Sequence, residues 1–313
     1  MRLSARSIFR ELYRASAKDW TDLLKIALLI LLGFLWSGRL AAIKAAGLSG
    51  VPVHVVVPVS VLGIAIVFSA LSAFRDSWPP LRRDAVTFYG LTGLFGFVLP
   101  FILESLAAPH LALFVLLVII STMPIMTVLA GAVLGIERPQ PRQYAAIGLG
   151  FCVALLIAWD TTQSAALSGT SWLWVLIALC IPVFYAGNSL FVASRWPKGV
   201  DALQVACAQG LLLSIAVLAG SIVTGAVDDW PLATRNLPAM LGIVLFETGA
   251  LLVYLKITRD YGATFMSIAN YIAMVFAALI GHVLFDDRLT WLSMAAAGLL
   301  VVSLSLNRGG RRA

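Results

Sequence analysis

Ionisable side chains inside long apolar segments are the residues of this sequence most able to do chemistry. Glu247 lies in the stretch IVLFETGA, near the middle of such a segment. A carboxylate at the centre of a bilayer costs about 2.5–3.5 kcal/mol on insertion scales, so it should face a polar cavity or a partner. We interpret Glu247 as a ligand for an amino group or as a proton carrier. The alternative is a protonated side chain hydrogen-bonded to a neighbouring helix.

Three more charged residues lie closer to the ends of apolar segments. Glu104 is either a carboxylate at the mouth of a cavity or a solvated side chain at the membrane edge. Arg39 and Lys44 could extend to lipid headgroups, as long cationic side chains often do, or turn inward. One of these cations together with Glu247 or Glu104 could bind a zwitterion.

Polar side chains also cluster on several segments. Two sets are spaced i, i+3 and i+4 and therefore each share a helix face, whereas a third set flanks a proline. These sets are Tyr185, Asn188 and Ser189; Ser267, Asn270 and Tyr271; and Ser121, Thr122 and Thr127 around Pro124. A single such residue would be explained by a hydrogen bond between helices, worth about 0.6 kcal/mol on average. Three sets together predict a lined cavity, with Trp36 and Phe97 as apolar walls, and Pro124 predicts a kink.

The composition indicates which solvent surrounds these residues. The 313 residues are 61% hydrophobic and 12% charged, with a mean hydropathy of +0.96. Soluble domains have about 45–50% apolar and about 25% charged residues, so the composition predicts an all-α polytopic membrane protein. The net charge of +7 comes from cations between the apolar segments and at the termini, which argues against a nucleic-acid partner. The three cysteines lie in apolar segments without CxxC spacing, so we expect no metal site and no cofactor.

Ten apolar segments are long enough to cross a bilayer, which requires about 20 residues each. We place them at 23–44, 52–74, 85–107, 109–135, 142–159, 172–194, 202–225, 238–257, 261–285 and 289–306. With alternating crossings, 18 of the 22 lysines and arginines fall on the side of the N-terminus. The positive-inside rule then predicts cytoplasmic termini in the inner (cytoplasmic) membrane of a cell, with the lipid bilayer as one partner.

The segments outside the ten spans are short. Residues 1–22 carry a cation at every fourth position from Arg2 to Lys18, so they form either a helix on the inner leaflet or a loose basic tail. Residues 160–171 are predicted to be an extracytoplasmic linker, and residues 307–313 a second basic tail.

One stretch of the sequence occurs twice. Residues 129–149 and 279–299 share nine identities at a constant offset of 150, and a weaker similarity at an offset of 149 joins 34–40 to 183–189. These matches predict two five-helix halves, 23–159 and 172–306. Because five is odd, the second half should be inverted relative to the first. Inverted repeats are typical of secondary transporters with a substrate site near the midplane, so we predict a central cavity and alternating access.

The sequence resembles the EamA-type ten-helix transporters of the drug/metabolite transporter superfamily. The resemblance is carried by residues 36–44, by MetProIle at 123–125 and by the two acid–arginine pairs of the repeat with their trailing glycines, Gly148 and Gly298. The pairs are Glu137–Arg138 and Asp287–Arg288. The resemblance implies that helices 1, 3, 4, 6, 8 and 9 surround the cavity, that helices 5 and 10 are peripheral, and that both pairs are hinge or capping elements. The sequence departs from the pattern at Arg39, where relatives commonly have a small or amide residue, and at Met274, where they have proline.

These observations favour a secondary transporter, as monomer or homodimer, that exports small polar metabolites such as amino acids or other zwitterions. Coupling to protons through Glu247 is one form of this hypothesis. An alternative cargo is an anionic sugar nucleotide or phosphorylated compound, which would require several cations in the cavity. Alternatives of another class are a non-transporting scaffold and an intramembrane enzyme. The sequence contains no GxSxG, HExxH or P-loop motif, so we predict neither an enzyme nor a primary ATP-driven pump.

Overall fold

A computed structural model describes residues 5–135, 139–168, 172–261, 266 and 268–307. Of the residues singled out above, Glu137, Arg138 and Ser267 lie outside the described residues. Over the described ranges the chain is helical and contains no strand.

The helices follow the predicted segments in order. They are α1 (Ala5–Leu48), α2 (Val53–Phe74), α3 (Arg83–Gly93), a π-helix (Leu94–Val98), α4 (Leu99–Ala107), α5 (Leu113–Ile120), α6 (Met123–Val133), α7 (Pro141–Ser168), α8 (Leu173–Arg195), α9 (Ala202–Thr224), a 3₁₀-helix (Ala226–Asn236), α10 (Leu237–Tyr261), α11 (Ala269–Phe285) and α12 (Trp291–Asn307). The basic N-terminal segment is helical from Ala5 and continues without interruption into the first span.

Seven helical segments are at least 18 residues long and apolar enough to cross a membrane, judged by length and composition among the described residues. They coincide with predicted spans one to four and six to eight. At the positions of spans five, nine and ten lie three shorter apolar helices, Pro141–Ile157, Ala269–Phe285 and Trp291–Leu306. The helical, multi-span character is therefore confirmed, whereas ten crossings remain a prediction.

Two of the long apolar segments are interrupted near their middle. The third contains the π-helix Leu94–Val98, a kind of distortion that is frequent at functional sites. The fourth is divided into α5 and α6 immediately before Pro124, which lies in the first turn of α6, where proline is tolerated. Thr122 donates its hydroxyl to the carbonyl of Ile119 at 2.7 Å, which satisfies a backbone acceptor near the break.

Equivalent helices of the two sequence repeats pack against each other in antiparallel pairs. In the α7–α12 pair, Ser303 near the end of α12 donates to the carbonyl of Ala146 near the start of α7, at 2.7 Å. At the other end, Thr290 just before α12 donates to Asp160 at 2.5 Å. The α2–α9 pair shows the same arrangement, because Ser77 after α2 donates to Asp201 before α9 at 3.0 Å. Each helix therefore begins where its counterpart ends.

Helices α1, α4 and α10 carry Arg39, Glu104 and Glu247, and these side chains meet in the interior. We call the region where these helices meet the seam. Helix α1 packs against α10 and α11, and α4 packs against α8. The hydroxyl of Ser37 donates to the carbonyl of Ala273 at 2.7 Å, which fixes α1 against α11. Many large apolar side chains point outward, for example Ile66 and Val223. In a bilayer these side chains contact acyl chains.

Candidate functional site

Arg39 lies at the centre of the seam and connects three helices. It is buried in α1, with 6% of its surface exposed. Its Nη1 lies 2.6 Å from Oε2 of Glu104 in α4, and its Nε lies 2.6 Å from Oε2 of Glu247 in α10. One guanidinium therefore contacts two carboxylates from the third and eighth predicted spans.

Glu104 is held at both of its carboxylate oxygens. Oε2 accepts the hydrogen bond from Arg39, and Oε1 accepts one from the hydroxyl of Tyr185 in α8 at 2.9 Å. Glu104 is only 1% exposed. The guanidinium of Arg39 also lies over the ring of Phe101, 5.1 Å from its centroid. The position of Glu104 is therefore fixed by two hydrogen-bond donors, Arg39 and Tyr185. Arg39 is held in turn by Glu104 and by the ring of Phe101.

Glu247 is held much less firmly than Glu104. The Nε–H of Arg39 is not aligned with Oε2 of Glu247, so their short contact is an ion pair without hydrogen-bond geometry. Within the described part of the chain no group donates a hydrogen bond to Glu247, and 22% of its side chain is exposed. Glu247 thus has free acceptor capacity next to a buried cation.

At two residues the structure excludes one of the alternatives that the sequence left open. Glu104 is not a solvated edge carboxylate, and Arg39 does not extend to the headgroups, because the two side chains neutralise each other in the interior. A signal for this was available in the spacing of Phe101 and Glu104, which lie three residues apart and share a helix face. That face offers an aromatic ring and a carboxylate to one guanidinium.

Lys44 forms a second charged contact, one to two turns further along α1. Its Nζ lies 2.6 and 2.9 Å from the two carboxylate oxygens of Asp287 and donates to the carbonyl of Leu111 at 2.9 Å. Asp287 Oδ2 also accepts from the backbone N–H of Leu113, the first residue of α5, at 2.8 Å. Lys44 is buried, so it too does not reach the headgroups. This contact joins α1, the start of α5 and the segment after α11.

The structure corrects the expected role of Asp287. We expected the acid to complement the dipole of the helix that follows it, yet α12 begins at Trp291 and is capped by Thr290, whose hydroxyl accepts from the N–H of Ser293 at 3.0 Å. Asp287 acts instead on the start of α5. The neighbouring Arg288 is exposed.

The polar face of α8 is divided between different neighbours. Tyr185 reaches Glu104, as described above, whereas the hydroxyl of Ser189 lies 3.4 Å from that of Thr127 in α6 and donates to its own helix at Ala186. The side-chain amide oxygen of Asn188, Oδ1, is buried and has no hydrogen-bond partner among the described residues.

A cavity of about 240 Å³ lies beside Asn188, between α3 and α8. Its lining consists of Leu91, Phe95, Val183, Phe184, Gly187, Asn188 and Phe191. Leu91, Phe95 and Val183 in this lining are exposed at the surface of the structure.

The remaining predicted site residues surround the seam without joining the ion pairs. Trp36 is partly buried, with its ring 6.5 Å from that of Tyr254, and Phe97 packs 5.9 Å from Phe101. Asn270 and Tyr271 lie on α11 and are partly exposed. Thr122 is buried and uses its hydroxyl within its own helix break, so it is not free to bind a ligand there.

No metal ligand set is present in the described ranges, since no group of three His, Cys, Asp or Glu side chains comes together there. The site therefore consists of charge, hydrogen bonds and aromatic rings. Such an arrangement can bind an ionic group and exchange a proton.

Comparisons with known proteins identify the family and the fold of this chain. A family model described as the EamA-like transporter family matches residues 23–159 and again residues 172–308. No curated protein matches the chain. A crystal structure of a protein that is described no further shares 20% identity, covers 90% of this chain and 94% of its own, and superposes with a TM-score of 0.55, which shows a common fold. Because the family model covers both halves of the sequence, this multi-pass membrane protein belongs to the EamA-like transporter family.

Proposed function

We propose that this protein is a secondary transporter that binds a small polar metabolite at the seam and releases it by alternating access. The observation that carries the proposal is the state of Glu247, a carboxylate within a predicted span that is partly exposed and lacks a hydrogen-bond donor among the described residues. A carboxylate in that position is costly in lipid unless a ligand, a proton or water completes its environment. The ligand class that fits best carries an amino group, as amino acids do.

The proposed mechanism requires two inverted halves that move relative to each other. It is supported by the antiparallel pairing of α7 with α12 and of α2 with α9, because helices at equivalent positions of a parallel repeat would not begin at opposite ends. When two inverted halves have similar shapes, each half can adopt the conformation of the other. The protein then has two conformations of similar energy, one open to each side of the membrane. The seam between them is then accessible from one side at a time.

We assign the contact of Lys44 with Asp287 as a gate on the extracytoplasmic side. It joins α1, α5 and the segment after α11, which belong to spans that line the cavity in this family. Opening that side would require the ion pair to separate and the N–H of Leu113 to be rehydrated. Pro124, at the break between α5 and α6, is a suitable hinge. Glu137, Arg138 and Arg288 remain hinge predictions made from the repeat alone.

Three further features belong to the proposal. The concentration of lysine and arginine on one side supports cytoplasmic termini in the inner membrane. Proton coupling is supported by the presence of a titratable carboxylate at the substrate position. If protons enter the cell as the substrate leaves, an inward proton gradient drives the substrate out, so export is the proposed direction. An anionic cargo is disfavoured, because the cation nearest the site is already engaged by two carboxylates.

The test is counterflow in proteoliposomes loaded with a panel of amino acids and amines. We expect saturable uptake of at least one labelled member, and we expect Glu247→Gln to lower its rate about tenfold or more, as the loss of one charge-assisted contact predicts. Asp229→Asn is the matched control, since it removes a carboxylate from an exposed ion pair with His54. Absence of counterflow for every member, with folded protein in the vesicles, would leave the non-transporting scaffold as the better explanation.

A further inference from the structure

We infer that the site selects a molecule of net charge +1, an amine without a free carboxylate, and binds its ammonium group at Glu247. The inference rests on the proposed transport function and narrows its substrate class from compounds with an amino group to those that are monocations. It follows from which partners Arg39 already has and from the total charge of the cluster.

The first step is that the positive charge of Arg39 is already compensated by two carboxylates. Its Nη1 is committed to Glu104, which is itself fixed by Tyr185, and its Nε faces Glu247. Removing Arg39 from Glu104 would leave a carboxylate that is 1% exposed without a counter-charge. Because an uncompensated buried charge is strongly unfavourable, the Arg39–Glu104 pair should stay intact while a substrate binds.

The second step is the charge of the cluster. Arg39 contributes one positive charge, whereas Glu104 and Glu247 contribute one negative charge each, so the ionised cluster carries a net negative charge. Lys44, the next cation after Arg39 along α1, is bound by Asp287 and cannot compensate it. A single added positive charge makes the cluster neutral, and a zwitterion adds none.

The third step is the position of the free capacity. The charged groups that act on Glu247 are Arg39 from α1 and Glu104 from α4, and Tyr185 of α8 faces Glu104. A ligand ammonium on the exposed side of Glu247 would meet an acceptor, whereas a carboxylate attached next to it would be repelled by Glu104 and Glu247 together. A proton on Glu247 also makes the cluster neutral. Proton and amine should therefore bind in competition.

The experiment compares two ligands that differ only by the carboxylate. Purified protein in lipid nanodiscs is titrated calorimetrically with leucine and with 3-methylbutylamine, and the pair tryptophan and tryptamine repeats the comparison with a larger side chain. We expect each amine to bind about tenfold more tightly than its amino acid, because the like-charge contact is absent. Lower pH should weaken amine binding.

Variants locate the effect at one residue. Glu247→Gln should abolish the preference for the amine, Glu247→Asp should retain it, and Asp229→Asn should leave it unchanged. Unfolding midpoints of all three variants establish that they are folded. Equal or tighter binding of the amino acids would overturn the inference while leaving the transport function intact, and so would the absence of amine binding in both pairs. The counterflow panel judges the transport function independently.

Discussion

The first span and its counterpart in the second repeat have similar sequences but different surroundings. Residues 34–40 and 183–189 correspond at an offset of 149, which places Arg39 opposite Asn188. Arg39 is buried between two carboxylates, whereas the side-chain oxygen Oδ1 of Asn188 has no hydrogen-bond partner within the described ranges. A methyl group on Gly38 would lie 3.0 Å from the ring of Phe246, yet one on Gly187 would meet nothing within 4 Å.

This difference separates what the two halves share from what they do not. Helices α2 and α7 of the first half pack against their counterparts α9 and α12 of the second half. The charged cluster is formed around the first span, whereas Asn188 at the equivalent position of the sixth span lines a small cavity with mostly apolar walls. The substrate site we propose is therefore asymmetric, and charge is the property that distinguishes the halves.

The largest expected effect comes from removing the central cation. Arg39→Met leaves Glu104 and Glu247 buried without a counter-charge and should lower the free energy of unfolding by about 3–5 kcal/mol. Asn188→Leu, the equivalent change in the other half, should cost about 1 kcal/mol or less, because it removes an oxygen that has no partner. Sodium dodecyl sulfate titration in mixed micelles, followed by tryptophan fluorescence, measures both.

A triple variant distinguishes charge from packing. If Arg39→Met is destabilising because of unpaired carboxylates, adding Glu104→Gln and Glu247→Gln should restore much of the loss. A similar cost for Arg39→Met and Asn188→Leu would show that the halves are energetically equivalent, contrary to the comparison.

A smaller effect is expected at the second charged contact of the first span. The residues 149 and 150 positions after Lys44 are Ala193 and Ser194, so the sixth span has no equivalent cation. Asp287→Asn retains an acceptor for the N–H of Leu113 but loses the charge that binds Lys44, and it should cost about 1–3 kcal/mol. Asp229→Asn, in an exposed pair, should cost about 0–1 kcal/mol in the same titration. If Asp287→Asn and Asp229→Asn lower the free energy of unfolding equally little, the contact of Lys44 with Asp287 is too weak to act as a gate.

The smallest effect concerns the two glycines. Gly187→Ala adds a methyl group to open space within a helix and should stabilise the protein by about 0.4–1 kcal/mol, since alanine has less conformational freedom to lose. Gly38→Ala must displace the ring of Phe246 and should be less stable than Gly187→Ala by about 1 kcal/mol. Thermal unfolding in one detergent ranks the pair. The reverse order would mean that the first span is not the more closely packed of the two.

Much of the fold could be predicted because it depends on local sequence. Long apolar segments must form helices in lipid, where every backbone group needs an internal partner, and α2, α8 and α9 begin and end within three residues of their predicted bounds. The break before Pro124 was predictable for the same reason, because proline lacks an N–H. The π-helix at Leu94–Val98 contains Gly96 and is followed by Pro100, two possible signals that the sequence analysis did not use.

The sequence could predict which residues belong to the candidate site, but not which residues they contact. Glu247 attracted attention because an acid in an apolar segment is costly, and Tyr185 because it lies on a polar helix face. Glu104 was undervalued, because a position near the end of a segment does not reveal whether the side chain points to water or to a neighbouring helix. The interpretation of Asp287 as a cap for the next helix failed because its partner, the start of α5, is 174 residues away in sequence.

The sequence by itself determined that this protein is helical, repeated and embedded in lipid, because those properties follow from composition, periodicity and the cost of unpaired backbone groups. Only the tertiary structure decided that Arg39 joins Glu104 to Glu247 and that Lys44 joins Asp287. Ion pairs depend on distances of a few ångströms between helices that are far apart in the chain, and no local pattern encodes such distances.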